Sequence, residues 1–332
     1  MRGSFKIFAA FAAASIAFGP LSARNIVVTN DDGLTSNVVA LHDALTKAGH
    51  DVIISVPCTN QSGMGAALQI ARPLTPLTAP CLSDAAKTGD PGAGPMTREG
   101  LREGDFHYVN GTPVMALMYG LDVLAMKRWG KAPDLVLSGP NEGQNVGAII
   151  ISSGTVSAAQ LAVLRGVPAI ALSAGSNSEA ETLDNPVSVD VARRTVELVA
   201  ALDARAGEGA MLPEAFALNV NFPDQPAEAQ WQQTRIGTYN AYSVRFTEDM
   251  AAEASPMMRA MAQSRGQEIP ALPGLNFGFN SAEPSQAQAN DESVVYRTHI
   301  AVSPMQAGYA HSGDAEDIVR WHLGELFSND EE

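Results

Sequence analysis

The sequence predicts an α/β protein in which a mostly parallel sheet carries helices on both faces. Three observations support this. Short runs of β-branched apolar residues alternate with segments of helical periodicity from about residue 25 to 223. The apolar runs stop at glycine and small polar residues, as buried parallel strands do at their carboxyl ends. No internal repeat interrupts the alternation.

The elements follow in order. Asn25-Ile26-Val27-Val28-Thr29 reads as a buried strand that ends at Asn30-Asp31-Asp32-Gly33, and Val38, Val39, Leu41 and Leu45 then repeat at helical spacing. Asp51 to Pro57 is a second strand after the Gly49 helix stop, running into the polar loop Cys58 to Gly65. Arg72 to Glu103 is rich in Pro, Gly and Thr without periodicity, and reads as a long surface excursion and candidate active-site flap. Phe106 to Val109 is a strand, Val114 to Leu124 a helix, and Pro133 to Gly139 another buried strand. A helix opens at Ser152 to Val156 and stops at Gly166; Val167 to Ser173 is a strand, Val189 to Leu202 a helix, and Phe216 to Pro223 a strand. From Asp224 to Asn290 the pattern degrades, after which Val294 to Val302 reads as a late strand and Glu316 to Phe327 as a terminal helix. The expected division is 1–23 leader, 24–223 catalytic domain and 224–332 C-terminal extension packed on the same domain or on a partner subunit.

Composition narrows the function classes. With 332 residues, 45% hydrophobic, 17% charged and a formal net charge of −15, the chain lacks the basic run through which a nucleic-acid polymer releases counterions. Residues 1–23 place Arg2 and Lys6 before the apolar run Ile7 to Phe18 and small residues up to Ala23, the pattern of a secretory signal peptide. That reading expects a periplasmic or secreted protein with no stable membrane anchor after cleavage. Cys58 and Cys81 either stand as two buried thiols or pair in an oxidising compartment, pinning the excursion near the loop after the second strand. Most of the six histidines read as surface or helix-end residues.

The chemistry concentrates at strand ends. Thr29 to Gly33, Asn60 to Gly65, Gly139 to Gly147 and Ser152 to Thr155 all set hydroxyl, amide or carboxylate side chains among glycines, and a parallel sheet brings such loops to one rim. Asp31 and Asp32 repel each other unless a cation lies between them or one is protonated. Carboxylate, hydroxyl and amide oxygens are hard ligands suited to Mg²⁺, Mn²⁺ or Ca²⁺. Glycines and helix N-termini beside them form a phosphate cradle. The duller alternative for each loop is an ordinary turn or helix cap.

These residues resemble the SurE family of metal-dependent nucleotidases and acid phosphatases. The matching blocks are Val28 to Gly33, Pro57 with Asn60-Gln61-Ser62-Gly63, Asn110-Gly111-Thr112-Pro113, Pro133 to Asn141, Ser153 to Val156, and Leu218 to Pro223. The wording is closest to the fungal-type acid phosphatases and their bacterial relatives. The resemblance implies a Rossmann-like three-layer sandwich and a C-terminal arm exchanged between subunits, hence a homodimer or homotetramer. It implies metal ligands Asp31, Asp32, Ser62 and Asn141, with Mg²⁺ or Mn²⁺ the expected ion. Cys58-Thr59, Ala116 and Ser152 depart from residues common in the family.

The combined expectation is a phosphomonoesterase for nucleoside 5′- or 3′-monophosphates using a metal-activated water. Asp31, Asp32 and Asn141 are its catalytic residues, and Asn30, Gly63, Asn110, Ser153, Gly154 and Thr155 line the phosphate. The alternative class is an exported solute-binding protein for a small phosphorylated or anionic ligand, which has no use for adjacent acids where an anion docks. A nucleotide-cofactor enzyme is disfavoured because neither GxGxxG nor a Walker A motif occurs in the right context.

Overall fold

The computed structural model describes residues 23–180, 182–264, 266–309 and 315–327. A nine-stranded sheet is the spine of the chain. In chain order its first seven strands are β1 (Asn25–Thr29), β2 (Asp51–Pro57), β3 (Ala93–Pro95), β4 (Phe106–Val109), β5 (Leu135–Glu142), β6 (Ala169–Ala174) and β7 (Phe216–Asn221). β8 (Trp231–Gln233) follows, then β9 (Tyr242–Thr247) and β10 (Gly274–Phe279) as a separate antiparallel ribbon, and last β11 (Ile300–Gln306). The order across the large sheet is β3-β4-β2-β1-β5-β6-β7-β11-β8. From β4 to β7 every pairing is parallel; β3 and β11 join antiparallel at either side.

Helices cover both faces because strand residues alternate between them. Ile26, Val28, Ile54, Leu137, Ile170 and Val220 point to one side, under α1 (Ser36–Lys47). On the other side, Val27, Ile53, Val136, Ala169 and Ala171 meet a helical segment and a further helix. The segment begins as α2 (Pro113–Tyr119), passes through a π-helical turn (Gly120–Ala125), and ends as α3 (Met126–Trp129). The further helix is α4 (Gly154–Leu164). Gly120 permits that approach, since a Cβ there would stand 2.9 Å from Val27 Cγ1. α5 (Pro186–Ala206), whose Val191 and Val199 are wholly buried, packs beside α1. The architecture is thus a Rossmann-like three-layer α/β sandwich with added C-terminal elements.

The second face is not apolar throughout. Thr29, Ser138, Ala171, Asn219 and Ser303 lie side by side in strand register across β1, β5, β6, β7 and β11, all fully buried. Ser303 Oγ pairs with Thr234 Oγ1 at 2.8 Å, whereas Thr29 Oγ1, Ser138 Oγ and Asn219 Oδ1 have no protein partner.

Several expectations change. Val294 to Val302 is not one strand: α8 (Glu292–Val295) comes first and β11 starts at Ile300. The cause is local. Asp291 Oδ2 accepts the N–H groups of Thr238 and Tyr239, and Glu292 accepts those of Gly147 and Gly237, so both acids turn toward a loop instead of alternating along a strand. The aperiodic 224–290 region holds β8, the β9–β10 ribbon, α6 (Met250–Glu253) and α7 (Pro256–Ser264). The Arg72 to Glu103 excursion is no free flap. Leu77, Cys81, Ala85 and Ala86 are buried in the main core, and Cys58 and Cys81 form a disulfide. His42 and His50 are buried rather than at the surface: His42 Nε2 pairs with Asp105 at 2.9 Å, and His50 Nδ1 faces the Arg24 N–H at 3.3 Å. The terminal helix α9 (Ala315–Phe327) is present as expected. Residues 1–22 of the leader lie outside the described residues.

Candidate active site

β1 delivers Asp31 and Asp32 to the carboxyl edge of the sheet, where both are buried. Asn30 makes the turn: its Nδ2 donates to the Gly33 carbonyl at 2.8 Å and its Oδ1 accepts the Gly33 N–H at 3.0 Å. That side chain is therefore committed to shaping the acidic turn.

Each carboxylate is gripped by a different loop. Asp31 Oδ1 accepts the Thr155 hydroxyl at 2.5 Å and Oδ2 accepts the Gly154 N–H at 3.2 Å, both from the N-terminus of α4. Gly154 leaves room for this, because a Cβ there would meet Asp31 Cβ at 2.7 Å and Pro113 Cγ at 2.5 Å. Ser153 caps the same helix, its Oγ accepting the Val156 N–H at 3.0 Å. Asp32 Oδ1 accepts Asn60 Nδ2 at 3.0 Å, and its Oδ2 accepts the Glu142 N–H at 2.9 Å.

Asn141 arrives on β5 beyond a register shift between Ser138 and Asn141. Gly139, with φ of +116°, makes the shift, since a Cβ there would stand 2.1 Å from the Leu172 carbonyl oxygen. Asn141 Nδ2 donates to the Gly143 carbonyl at 2.6 Å, while its buried Oδ1 has no partner. The loop behind it is pinned by Asn219 and Asn221, whose Nδ2 groups donate to the Asn145 carbonyl at 3.0 and 3.1 Å.

The field here is strongly negative. Burial pushes the Asp31 carboxyl above its usual range despite its hydrogen bonds. Asp32 is driven well above it, first by burial and then by the charges of Asp31, Glu142 and Glu179. Glu142 is pushed up to about 7 by burial and by Glu179.

Asp31, Gly154 and Thr155 thus come together beside Asp32, and Asn141 precedes the residue whose N–H holds Asp32. Ser62 is exposed and connects to Asp32 through Asn60, whose Oδ1 accepts the Ser62 N–H at 2.9 Å. Gly63 is exposed in the same loop, and Asn110 is exposed at the end of β4. Asn60 and Glu142 contact or flank the acids without having been assigned a role from sequence; the only hint was their place inside the Asn-Gln-Ser-Gly and Pro-Asn loops. Among the described residues, no group of three or more His, Cys, Asp or Glu forms a metal cage. The oxygen donors that fit a hard cation are two carboxylates, the free Asn141 carbonyl and the Ser62 hydroxyl.

Fold and site together define a Rossmann-like α/β protein with a pair of buried carboxylates at the carboxyl edge of its sheet. The family model "Survival protein SurE" matches residues 26–243, and the chain belongs to the SurE family. It is 35% identical over 214 residues to an acid phosphatase of Yarrowia lipolytica, covering 61% of this chain and 57% of that protein. It is 31% identical over 215 residues to the 5′-nucleotidase SurE of Thermosipho africanus, covering 64% and 70%. The crystal structure of the SurE protein from Aquifex aeolicus superposes with a TM-score of 0.62 at 25% identity, over 90% of this chain and 99% of that one.

Membership corrects one expectation. SurE proteins are characteristically cytoplasmic stress-response enzymes, so the periplasmic or secreted location read from residues 1–23 does not stand. No helix among the described residues is long and apolar enough to cross a membrane.

Proposed function

We propose that this chain is a metal-dependent phosphomonoesterase acting on nucleoside 5′- or 3′-monophosphates, with Mg²⁺ or Mn²⁺ held by Asp31, Asp32, Ser62 and Asn141. The observation that carries the reading is the Asn141 side chain. Its amide nitrogen is tied to Gly143 and its buried carbonyl oxygen is left unpartnered, on the residue that precedes Glu142, whose N–H holds Asp32. A buried acceptor without a donor is costly, and a cation relieves both that cost and the repulsion between the acids. The names of the relatives, 5′-nucleotidase SurE and acid phosphatase, support the substrate class.

When bound, the ion supplies Lewis-acid polarisation of the phosphoryl group and lowers the pKa of a water. The residues of the chain supply the rest. Thr155 and the Gly154 N–H orient Asp31; Asn60 and the Glu142 N–H orient Asp32. Gly63, Asn110 and the N-terminal turn of α4 from Ser153 are left to face the phosphate.

The exchanged arm and a homodimer or homotetramer belong to the same proposal. On the β9–β10 ribbon, Tyr242, Val244 and Phe246 pair in register with Phe279, Phe277 and Leu275 to make one apolar face. Val244, Phe246, Leu275 and Phe279 are more than half exposed on it. Such a face is the kind that a second copy covers.

The test is phosphate release from a panel of nucleoside monophosphates, titrated with Mg²⁺ and Mn²⁺. Asp31→Asn is expected to abolish metal-dependent turnover while leaving the fold intact. Full activity in EDTA would overturn the proposal.

A further inference from the structure

We propose that Asn60 is a positioning residue that yokes the Ser62 loop to the Asp32 carboxylate and thereby sets the affinity of the site for its divalent cation. This rests on the metal reading above and adds a residue to it.

One amide group makes two contacts at the site. Asn60 Nδ2 donates to Asp32 Oδ1 at 3.0 Å, and Oδ1 accepts the N–H of Ser62 at 2.9 Å. The adjacent Gln61 N–H donates to the Asp31 carbonyl at 2.7 Å, so the loop is fastened to the acidic turn by backbone as well as side chain. 

That Gln61–Asp31 bond is independent of the Asn60 side chain and keeps the loop near the turn when the amide is removed. The amide orientation is fixed by chemistry: turned over, its oxygen would face a carboxylate oxygen and its nitrogen a backbone N–H. Aspartate at this position would set a like charge against Asp32, and serine, whose shorter side chain ends in a single oxygen, would keep the acceptor for Ser62 but not reach Asp32 with its O–H. Asparagine alone among these carries its donor and its acceptor on separate atoms, one for each partner. With the Glu142 N–H on Oδ2, the Asn60 donor leaves Asp32 with one fixed orientation. Partners of this kind, which orient a ligand without touching the ion, are worth about 10–100-fold in metal affinity.

The experiment is calorimetric titration of the metal-free protein with Mn²⁺, with no substrate present. The proteins compared are the wild type, Asn60→Ala, Asn60→Ser and Thr59→Ala, each held well below its own unfolding midpoint. Thr59 is the control, because its hydroxyl accepts from the Gln61 side chain in the same loop. Asn60→Ala and Asn60→Ser are both expected to weaken Mn²⁺ binding by about 10–100-fold, and Thr59→Ala to leave it unchanged. Wild-type affinity in Asn60→Ala, or its recovery in Asn60→Ser, would overturn the yoke while leaving the metal site standing. A wild type that binds no Mn²⁺ would overturn the metal reading and this proposal with it.

Discussion

Thr155 gives its hydroxyl proton to Asp31 Oδ1 at 2.5 Å, tying the first turn of α4 to the end of β1. The contact holds one carboxylate of the acidic pair in place and favours its charged form against a burial that opposes it. Thr155→Val keeps the shape of the side chain and removes that donor. It is expected to lower metal-dependent phosphate release by about 10–100-fold, whereas Thr155→Ser retains most of it. Steady-state rates of the two variants across a Mn²⁺ titration check this; equal losses in both would show that the methyl group, not the hydroxyl, matters.

Away from the site, Asp105 makes stability depend on pH. Burial alone would raise its pKa, but hydrogen bonds from Arg128 Nη1 at 2.6 Å and His42 Nε2 at 2.9 Å outweigh it and hold the carboxyl below its ordinary value. A carboxyl with a lowered folded-state pKa stabilises the protein above its unfolded pKa, about 4, and that stabilisation fades as pH falls through the folded value. Asp105→Asn should therefore cost about 2 kcal/mol at pH 7 and progressively less below pH 4. Urea unfolding of wild type and variant at several pH values measures the difference. A constant gap across that range would exclude Asp105 as the titrating group.

How much of this was legible beforehand depended on whether the signal was local. The strand from Asn25 to Thr29, its acidic turn and the helix after it were readable because period and turn chemistry agree within a dozen residues. Asn141 could be singled out from its loop, but the orphaned state of its Oδ1 depends on Gly143 turning back and on the shift at Gly139. Asp291 and Glu292 were opaque for a related reason: their partners, Gly147 and residues 237–239, lie more than 50 positions away in sequence. The β9–β10 ribbon escaped notice because its exposed apolar face and the glycines Gly274 and Gly278 break the inside–outside alternation on which strand reading relies.

The Cys58–Cys81 disulfide closes a loop spanning 23 residues of separation and fixes the base of the excursion beside the acidic turn. Leu82 Cδ2 would lie 3.4 Å from a Cβ placed on Gly33, and Ser83 Oγ donates to the Leu34 carbonyl at 3.0 Å. Opening the bridge restores freedom to the unfolded chain, so Cys58→Ser/Cys81→Ser is expected to lose about 3 kcal/mol of stability. Denaturant midpoints of wild type and double variant, each with and without a dithiol reductant, check it. The reductant should lower the wild-type midpoint and leave that of the variant unchanged; a wild type indifferent to full reduction would rule out a stabilising bridge.

The buried hydroxyls of the sheet offer a contrast within one layer of the core. Ser55 Oγ donates to the Ala116 carbonyl at 2.7 Å, bridging β2 to α2, while Thr29 Oγ1 on the neighbouring strand has no protein partner. Removing the Ser55 hydroxyl loses a buried hydrogen bond, although the Ala116 carbonyl keeps the Gly120 N–H, whereas removing an orphaned hydroxyl relieves a desolvation cost already present in the fold. Ser55→Ala should therefore destabilise the protein by about 1 kcal/mol. Thr29→Val, which keeps the branched shape on a strand, should be neutral or stabilising by about as much. Both residues are wholly buried, so a difference in sign cannot come from exposure. Chemical unfolding of the two single variants decides the matter: equal losses would mean that the Thr29 hydroxyl is satisfied in solution.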